Sequence, residues 1–188
     1  VGARHRGVGS GGNLRAAVFG ANDGLVSNTS LIMGVAGATA EPSFILASGV
    51  AGLLAGALSM AAGEYVSMRS QRELYEYQIG LEREELEQYP DEEAEELALI
   101  YEARGMPLEE GRTVARKMLQ DPAHALDTLA REELGLNPDD LGSPWGAALF
   151  SFLSFTAGAV IPLAPFALHL SRPLPVAAAL AGAALFAV

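Results

Sequence analysis

Glutamates spaced three residues apart are the first candidates for chemistry in this 188-residue chain. Glu82 and Glu85 form one pair, Glu93 and Glu96 form another, and each pair projects from one face of a helix. If the pairs faced each other, four carboxylates would converge on one or two divalent cations, as in carboxylate-bridged iron sites. The alternative is a solvated acidic face, which composition alone favours, because such spacings arise easily in a glutamate-rich stretch.

Two other candidates interrupt or border apolar runs of the chain. Asp23 lies well inside the first run, where an ionisable group in lipid is costly and is usually functional. The alternative is that Asn22-Asp23-Gly24 caps a helix at the membrane surface. Met60 lies near the end of the second run, and its thioether accepts Fe²⁺ or Cu⁺ better than Mg²⁺ or Ca²⁺. A lone methionine is nevertheless more often a packing residue.

Several kinds of site are excluded by residue type. The chain has no cysteine, which removes disulfides, thiolate metal sites and cysteine nucleophiles. His5, His124 and His169 are scattered and lack the spacing of a zinc site. Residues 137–142 resemble a calcium loop but have no oxygen ligand at its fifth position. Neither a nucleotide-binding loop nor a serine hydrolase motif is present.

The charge is concentrated in one block of the chain. Residues 64–142 contain 21 acidic and 8 basic residues, a net charge of −13, against −11 for the whole chain. Strong acidity argues against nucleic acid as a partner, because phosphate would be repelled. Half of all residues are nevertheless apolar, so two apolar segments flank an acidic one.

The apolar segments predict membrane helices. A basic, glycine-rich leader covers residues 1–13, and two spans are predicted within 14–63, the second over 44–62. A third span lies within 143–188, at 145–170, and an incomplete fourth begins at 174. Core helices of a soluble protein usually carry one polar face, and these runs show no charged face at all. Gly52 and Gly56 form a small-residue motif that suits close helix contact in lipid.

The acidic block predicts a cytoplasmic module of three or four helices. Five arginines lie near membrane ends on the same side of the bilayer as this block, and the positive-inside rule therefore places the block in the cytoplasm. They are Arg4, Arg6, Arg15, Arg69 and Arg72. The second membrane helix continues to Gln88, and Asp91 is expected to cap the next, which ends at Gly105. Further helices begin at Pro107 and Pro122. Apolar faces are expected from Leu81, Leu86, Leu97, Ile100 and Tyr101.

Four segments, taken together, resemble the vacuolar iron transporter family. They are GANDGLVS at 20–27, GALSMAAGEYVS at 56–67, ALDTLAREELGL at 125–136 and GAVIPLAPF at 158–166. They occur in the family's order and spacing, over essentially the whole chain from Leu14 onward. The resemblance is to a microbial, for example bacterial, member whose C-terminal part is missing, because the chain stops within the fourth of five family spans.

The resemblance implies an all-α transmembrane bundle with an inserted cytoplasmic metal-binding domain. It further implies a homodimer that exchanges Fe²⁺ for protons, with Mn²⁺ as another substrate and Zn²⁺ or Co²⁺ as further ions bound. No prosthetic group is expected. Asp23 and Met60 match the family's intramembrane residues. The residues that match its cytoplasmic metal ligands are Glu82, Glu85, Glu93, Glu96 and Glu133.

Two positions depart from the family pattern. Leu129 and Ala130 replace a methionine pair, which removes thioether ligands from the cytoplasmic site. Gly52 replaces a glutamate that some members carry, which leaves the proton-coupling residue in doubt.

The sequence therefore predicts a multi-span transporter that exports Fe²⁺ from the cytoplasm by proton antiport. It would lie in the plasma membrane of a prokaryote or the vacuolar membrane of a eukaryote. The rival function is a membrane-anchored metal sensor or scaffold without transport. An enzyme is the weakest option, because a di-iron oxidase would need histidines beside its glutamate pairs.

Overall fold

The computed structural model describes residues 8–187 as seven helices joined by short connections, without a β-strand in that range. Side chains are described for residues 17–121 and 124–186. The helices are α1 (Val8–Ala38), α2 (Pro42–Gln88), α3 (Pro90–Ala103), α4 (Leu108–Leu119), α5 (Pro122–Glu132), α6 (Pro144–Ala167) and α7 (Pro173–Ala187). The all-α fold class predicted from the sequence is confirmed.

The chain divides into two compact units. Within the described residues, one contains 8–68 together with 143–187, and the other is Arg69–Gly142. Here they are named the bundle unit and the acidic unit, and α2 contributes residues to both.

Two of the described helices, α2 and α6, are long and apolar enough to cross a membrane. The polar residues of α1, which include Asn22, Asp23 and Asn28, lower its hydropathy, and α7 is shorter. Membrane spans at α1 and α7 therefore stay predictions. Helix α1 begins at Val8, inside the stretch predicted to be a leader. Residues 1–7 lie outside the described part.

Helices α1 and α6 pack against each other through glycines on both sides. A Cβ atom on Gly24 would overlap the carbonyl oxygen of Phe155 on α6. A Cβ atom on Gly158 would overlap the carbonyl oxygen of Ala21 on α1. Since only glycine lets two backbones approach so closely, this pair determines how α1 and α6 dock.

The core of the bundle unit is apolar and draws on four helices. One cluster joins Ile32, Ile45, Leu163, Phe166 and Ala177, and a second joins Ala57, Phe155 and Ala159. Both glycines of the predicted small-residue motif face other helices of the same chain. Gly52 faces Leu31 of α1, and Gly56 faces Phe155 of α6.

The acidic unit is held by a small core and by ion pairs between helices. Leu97, Ala98 and Tyr101 of α3 pack against Ala115 of α4 and Leu129 of α5. Arg112 binds both carboxylate oxygens of Glu95, at 2.6 and 2.9 Å, which joins α4 to α3. Arg104 pairs with Glu132 and joins α3 to α5. These contacts position α3 and α5, which carry much of the site described below.

Two details of the acidic unit differ from the sequence prediction. Helix α3 is not capped by Asp91: it begins at Pro90, whose fixed φ suits the first helical position and whose missing N–H costs nothing there. Leu81 is 39 % exposed and does not belong to the apolar face, because the inward direction of α2 is taken by Ile79 and Glu82. Leu97 and Tyr101 are buried as predicted, and Leu86 and Ile100 are partly buried.

Replacement of Gly24 or Gly158 by alanine is expected to lower the free energy of unfolding by about 1–3 kcal/mol, the usual cost of overpacking a tight contact. Thermal unfolding of the purified protein in detergent measures this change. Gly34→Ala is the matched control, because a Cβ atom there meets nothing within 4 Å. Equal loss of stability in Gly34→Ala and Gly24→Ala would contradict the assigned packing.

Candidate metal centre

Three glutamates from separate parts of the acidic unit converge. Glu82 lies near the end of α2, Glu93 in the first turn of α3, and Glu133 directly after α5. One carboxylate oxygen from each lies within 4.8 Å of the others. Oxygens at such separations can share one divalent cation, so the geometry is that of a candidate metal centre.

The local sequence explains how each glutamate reaches this point. Tyr89 alone separates α2 from α3, because the residue before a proline is disfavoured in a helix. Glu82 and Glu93 therefore flank one tight connection. Glu133 is held by its backbone N–H, which donates to the carbonyl of Leu129 at 2.9 Å. Gly135 follows with φ of +66°, the conformation that commonly ends a helix.

The three carboxylates are poor in hydrogen-bond donors. Glu82 and Glu93 are each 5 % exposed, and Glu133 is partly exposed. In all three, atom Oε2 is buried without a hydrogen-bond partner among the described residues. An unpaired buried acceptor costs about 1–3 kcal/mol, and more when it is charged. A bound cation would supply the missing partner.

Burial and mutual repulsion raise the pKa of these carboxyl groups. The pKa of Glu93 rises to about 7, first because of burial and then because of the charges on Glu82 and Glu96. The pKa of Glu133 also rises to about 7, again through burial first and then through Glu82 and Glu93. The pKa of Glu82 is raised by burial and by Glu85. Each group is thus harder to ionise than an ordinary glutamate.

Glu85 and Glu96 occupy the rim of the cluster. Both side chains are exposed, and neither belongs to the group whose oxygens lie within 4.8 Å. Their charges still act on the centre, since Glu85 raises the pKa of Glu82, and Glu96 raises that of Glu133 partly through a hydrogen bond. Each i, i+3 pair predicted from the sequence therefore has one inner and one outer member.

Three arginines of the acidic unit bind acids outside the centre. Arg112 holds Glu95 and Glu109, Arg104 holds Glu132, and Arg131 holds Asp127 and Asp139. None of these ion pairs includes one of the three inner glutamates. Leu129 and Ala130 are fully buried within α5 and add no ligand atom. The centre consequently offers only carboxylate oxygens, which suit hard or borderline cations.

Asp23 and Met60 lie together in the bundle unit. They line one cavity of about 240 Å³, whose wall also includes Asn28, Gly52, Ser59 and Phe155. Met60 packs against the cluster of Ala57, Phe155 and Ala159, whereas Asp23 is exposed. The cavity presents a carboxylate and a thioether, a pair of ligands that tolerates borderline transition metals.

Sequence reasoning did not select Asn28 as a site residue. It lies one helical turn after Gly24, in a helix of low charge, and borders the same cavity. An amide in such a helix is a usable signal, because a buried polar group needs a partner.

Comparisons with known proteins give one consistent result. The model of the VIT family matches residues 14–188. The "Vacuolar iron transporter" of Acanthamoeba castellanii is 40 % identical over 163 residues, which are 86 % of this chain and 59 % of that protein. "Vacuolar iron transporter 1" of Oryza sativa subsp. japonica is 34 % identical over 157 residues, 84 % of this chain and 62 % of that protein. The chain thus spans about three fifths of the length of these relatives.

The raised pKa values predict how pH affects the acidic unit without metal. Between the ordinary glutamate pKa of 4.5 and a folded pKa of about 7, the folded state binds more protons than the unfolded state. The free energy of unfolding should therefore fall as the pH rises from about 5 to 8. Amide hydrogen exchange of peptides from Arg69–Gly142, measured with a chelator present, reports this stability.

Joint replacement of Glu82, Glu93 and Glu133 by glutamine should remove most of that pH dependence. The matched control replaces Glu84, Glu87 and Glu102, three exposed glutamates of the same unit. The same pH dependence in both triple variants would show that the inner carboxylates are not its source.

Proposed function

Because the chain belongs to the VIT family, we propose that it carries divalent transition-metal ions, Fe²⁺ foremost, across a membrane and out of the cytoplasm. The observation that carries this proposal is the convergence of Glu82, Glu93 and Glu133 within 4.8 Å. The relatives named above are transporters, and the same role, rather than that of an enzyme, is proposed for this chain.

The acidic unit is proposed to capture the ion on the cytoplasmic side. The inner glutamates would bind the metal directly, and the outer Glu85 and Glu96 would attract it and complete its coordination. The net charge of −13 on residues 64–142 raises the local concentration of cations around this unit. Carboxylate ligands accept Fe²⁺ and Mn²⁺ alike, so Mn²⁺ is proposed as a second substrate.

Asp23 and Met60 are proposed to bind the ion within the bundle. Their shared cavity supports this role, since it combines a carboxylate with a thioether beside two helices apolar enough to span a bilayer. Carboxylates must be deprotonated to bind metal, so release of the ion allows a proton to bind. Proton antiport is proposed on this chemical ground, and a homodimer is proposed from the family resemblance.

Metal affinity should separate the inner from the outer glutamates. Glu82→Gln with Glu93→Gln should weaken Fe²⁺ binding to the acidic unit by about tenfold or more, which corresponds to about 1.4 kcal/mol. Glu85→Gln with Glu96→Gln removes the same number of carboxylates but leaves the buried oxygens, and should weaken Fe²⁺ binding less. Anaerobic titration calorimetry on the purified protein measures both. A greater loss of Fe²⁺ affinity on replacement of the outer pair would contradict the assignment of Glu82 and Glu93 as the direct ligands.

Transport should depend on Asp23. In liposomes that contain the purified protein, Asp23→Ala should slow Fe²⁺ uptake about tenfold or more, because loss of 1.4 kcal/mol in the crossing step is already tenfold in rate. Asn22→Ala is the control, since Asn22 is exposed on the same helix and does not line the cavity. Uptake by Asp23→Ala at the parental rate would remove this residue from the pathway. Metal binding without uptake by the parent would favour a sensor or scaffold.

A further inference from the structure

Asn28 is the most deeply buried polar side chain at the bundle-unit cavity. It is 2 % exposed, and its amide Nδ2 donates a hydrogen bond of 2.8 Å to the carbonyl oxygen of Ala159 on α6. A carbonyl oxygen can only accept, so the nitrogen of the amide must face Ala159. The amide oxygen therefore points away from this hydrogen bond.

The oxygen of Asn28 has no donor. Oδ1 is buried and accepts no hydrogen bond from any described residue, although Asn28 lines the 240 Å³ cavity. Leaving a buried oxygen unpaired is costly. Its partner must come from the cavity, and the candidates are a water molecule or a cation.

The space beside this oxygen is kept open by Gly52. A Cβ atom on Gly52 would lie 3.1 Å from Asn28 Oδ1, so α2 brings its backbone close without adding a side chain. Asp23 and Met60 line the same cavity. The cavity thus combines three different ligand types: a carboxylate, a neutral amide oxygen and a thioether. The thioether makes such a set more suitable for borderline ions such as Fe²⁺ than for calcium or magnesium, and its two oxygen ligands also accept Mn²⁺.

We infer that Asn28 Oδ1 is a direct ligand of the divalent cation in the cavity that Asp23 and Met60 line. The inference rests on the proposed function, because it takes this cavity to hold the transported ion. Asn28 then has two roles at once. Its nitrogen fastens α1 to α6, and its oxygen, aimed by that hydrogen bond, binds the ion without adding charge.

Two substitutions separate these roles. Asn28→Leu keeps the approximate volume and removes both polar atoms. Asn28→Asp keeps an oxygen ligand and adds a negative charge, but it loses the N–H that Ala159 accepts. If Asn28 is a ligand, aspartate should bind metal at least as tightly as asparagine, and leucine should not. If Asn28 only fastens the helices, aspartate should be as harmful as leucine or worse, because a carboxylate would face a carbonyl oxygen.

The test measures Mn²⁺ binding to the whole protein in detergent by electron paramagnetic resonance. The background carries Glu82→Gln, Glu93→Gln and Glu133→Gln, so that binding reports the bundle unit. Asn28→Leu should weaken Mn²⁺ binding about tenfold or more, and Asn28→Asp should retain or tighten it. Asn22→Ala, on the same helix and outside the cavity, should leave it unchanged.

Three outcomes would overturn the inference: equal Mn²⁺ affinity in Asn28→Leu, equal weakening in Asn28→Asp and Asn28→Leu, or no Mn²⁺ binding in the background protein. Should Asn28→Leu fail to fold, Asn28→Asp alone decides, because the two roles predict opposite changes for it. The assay needs no membrane gradient. Absence of uptake in liposomes would therefore reject the proposed transport, whereas the binding results decide whether Asn28 is a metal ligand.

Discussion

The burial and mutual repulsion of Glu82, Glu93 and Glu133 form the constraint around which the acidic unit is built. One oxygen of each lies within 4.8 Å of the others, Oε2 of each is buried, and the ion pairs of Arg104 and Arg112 go to other acids. Such an arrangement opposes folding, so the contacts around it must offset it. The buried contacts of Leu97, Ala98 and Leu129 and the bidentate Arg112–Glu95 pair supply that compensation. The fold thereby holds three carboxylates closer than they would stay unaided, and a bound divalent cation would relieve their repulsion.

A buried oxygen without a hydrogen-bond donor also occurs in the bundle unit, where it belongs to a neutral amide. Five buried side-chain atoms lack a hydrogen-bond partner among the described residues. Three belong to the glutamate centre and one is Asn28 Oδ1, at the cavity of Asp23 and Met60; only Ser151 Oγ borders neither place. Because native proteins pair nearly all buried polar atoms, the concentration of unpaired oxygens at these two places supports the proposed metal sites more strongly than the acidity of the chain does.

The sequence predicts the parts of this arrangement that local chemistry controls. Proline and glycine mark the ends of α2, α3 and α5, and the i, i+3 spacing identifies both glutamate pairs. The spacing does not determine which member of a pair faces inward, because this depends on how α3 packs on α4 and α5. Asp91 was the expected cap of α3, yet Pro90 already occupies the first helical position. Glu133 reaches the centre only by tertiary packing, and the resemblance to a family, rather than spacing, pointed to it.

Asn28 illustrates why the remainder needs the folded structure. Its side chain is short, so it reaches the carbonyl of Ala159 only where α1 and α6 approach closely. Gly24 lies one turn before Asn28 on the same face of α1, and Gly158 precedes Ala159 on α6. Both glycines stand where a Cβ atom would overlap the opposite backbone. The close approach that these glycines permit is therefore what allows the amide to bridge the helices and to turn its oxygen toward the cavity. In the sequence, the small residues and the amide are separate features, but in the structure the glycines allow the close helix contact that the amide bridges.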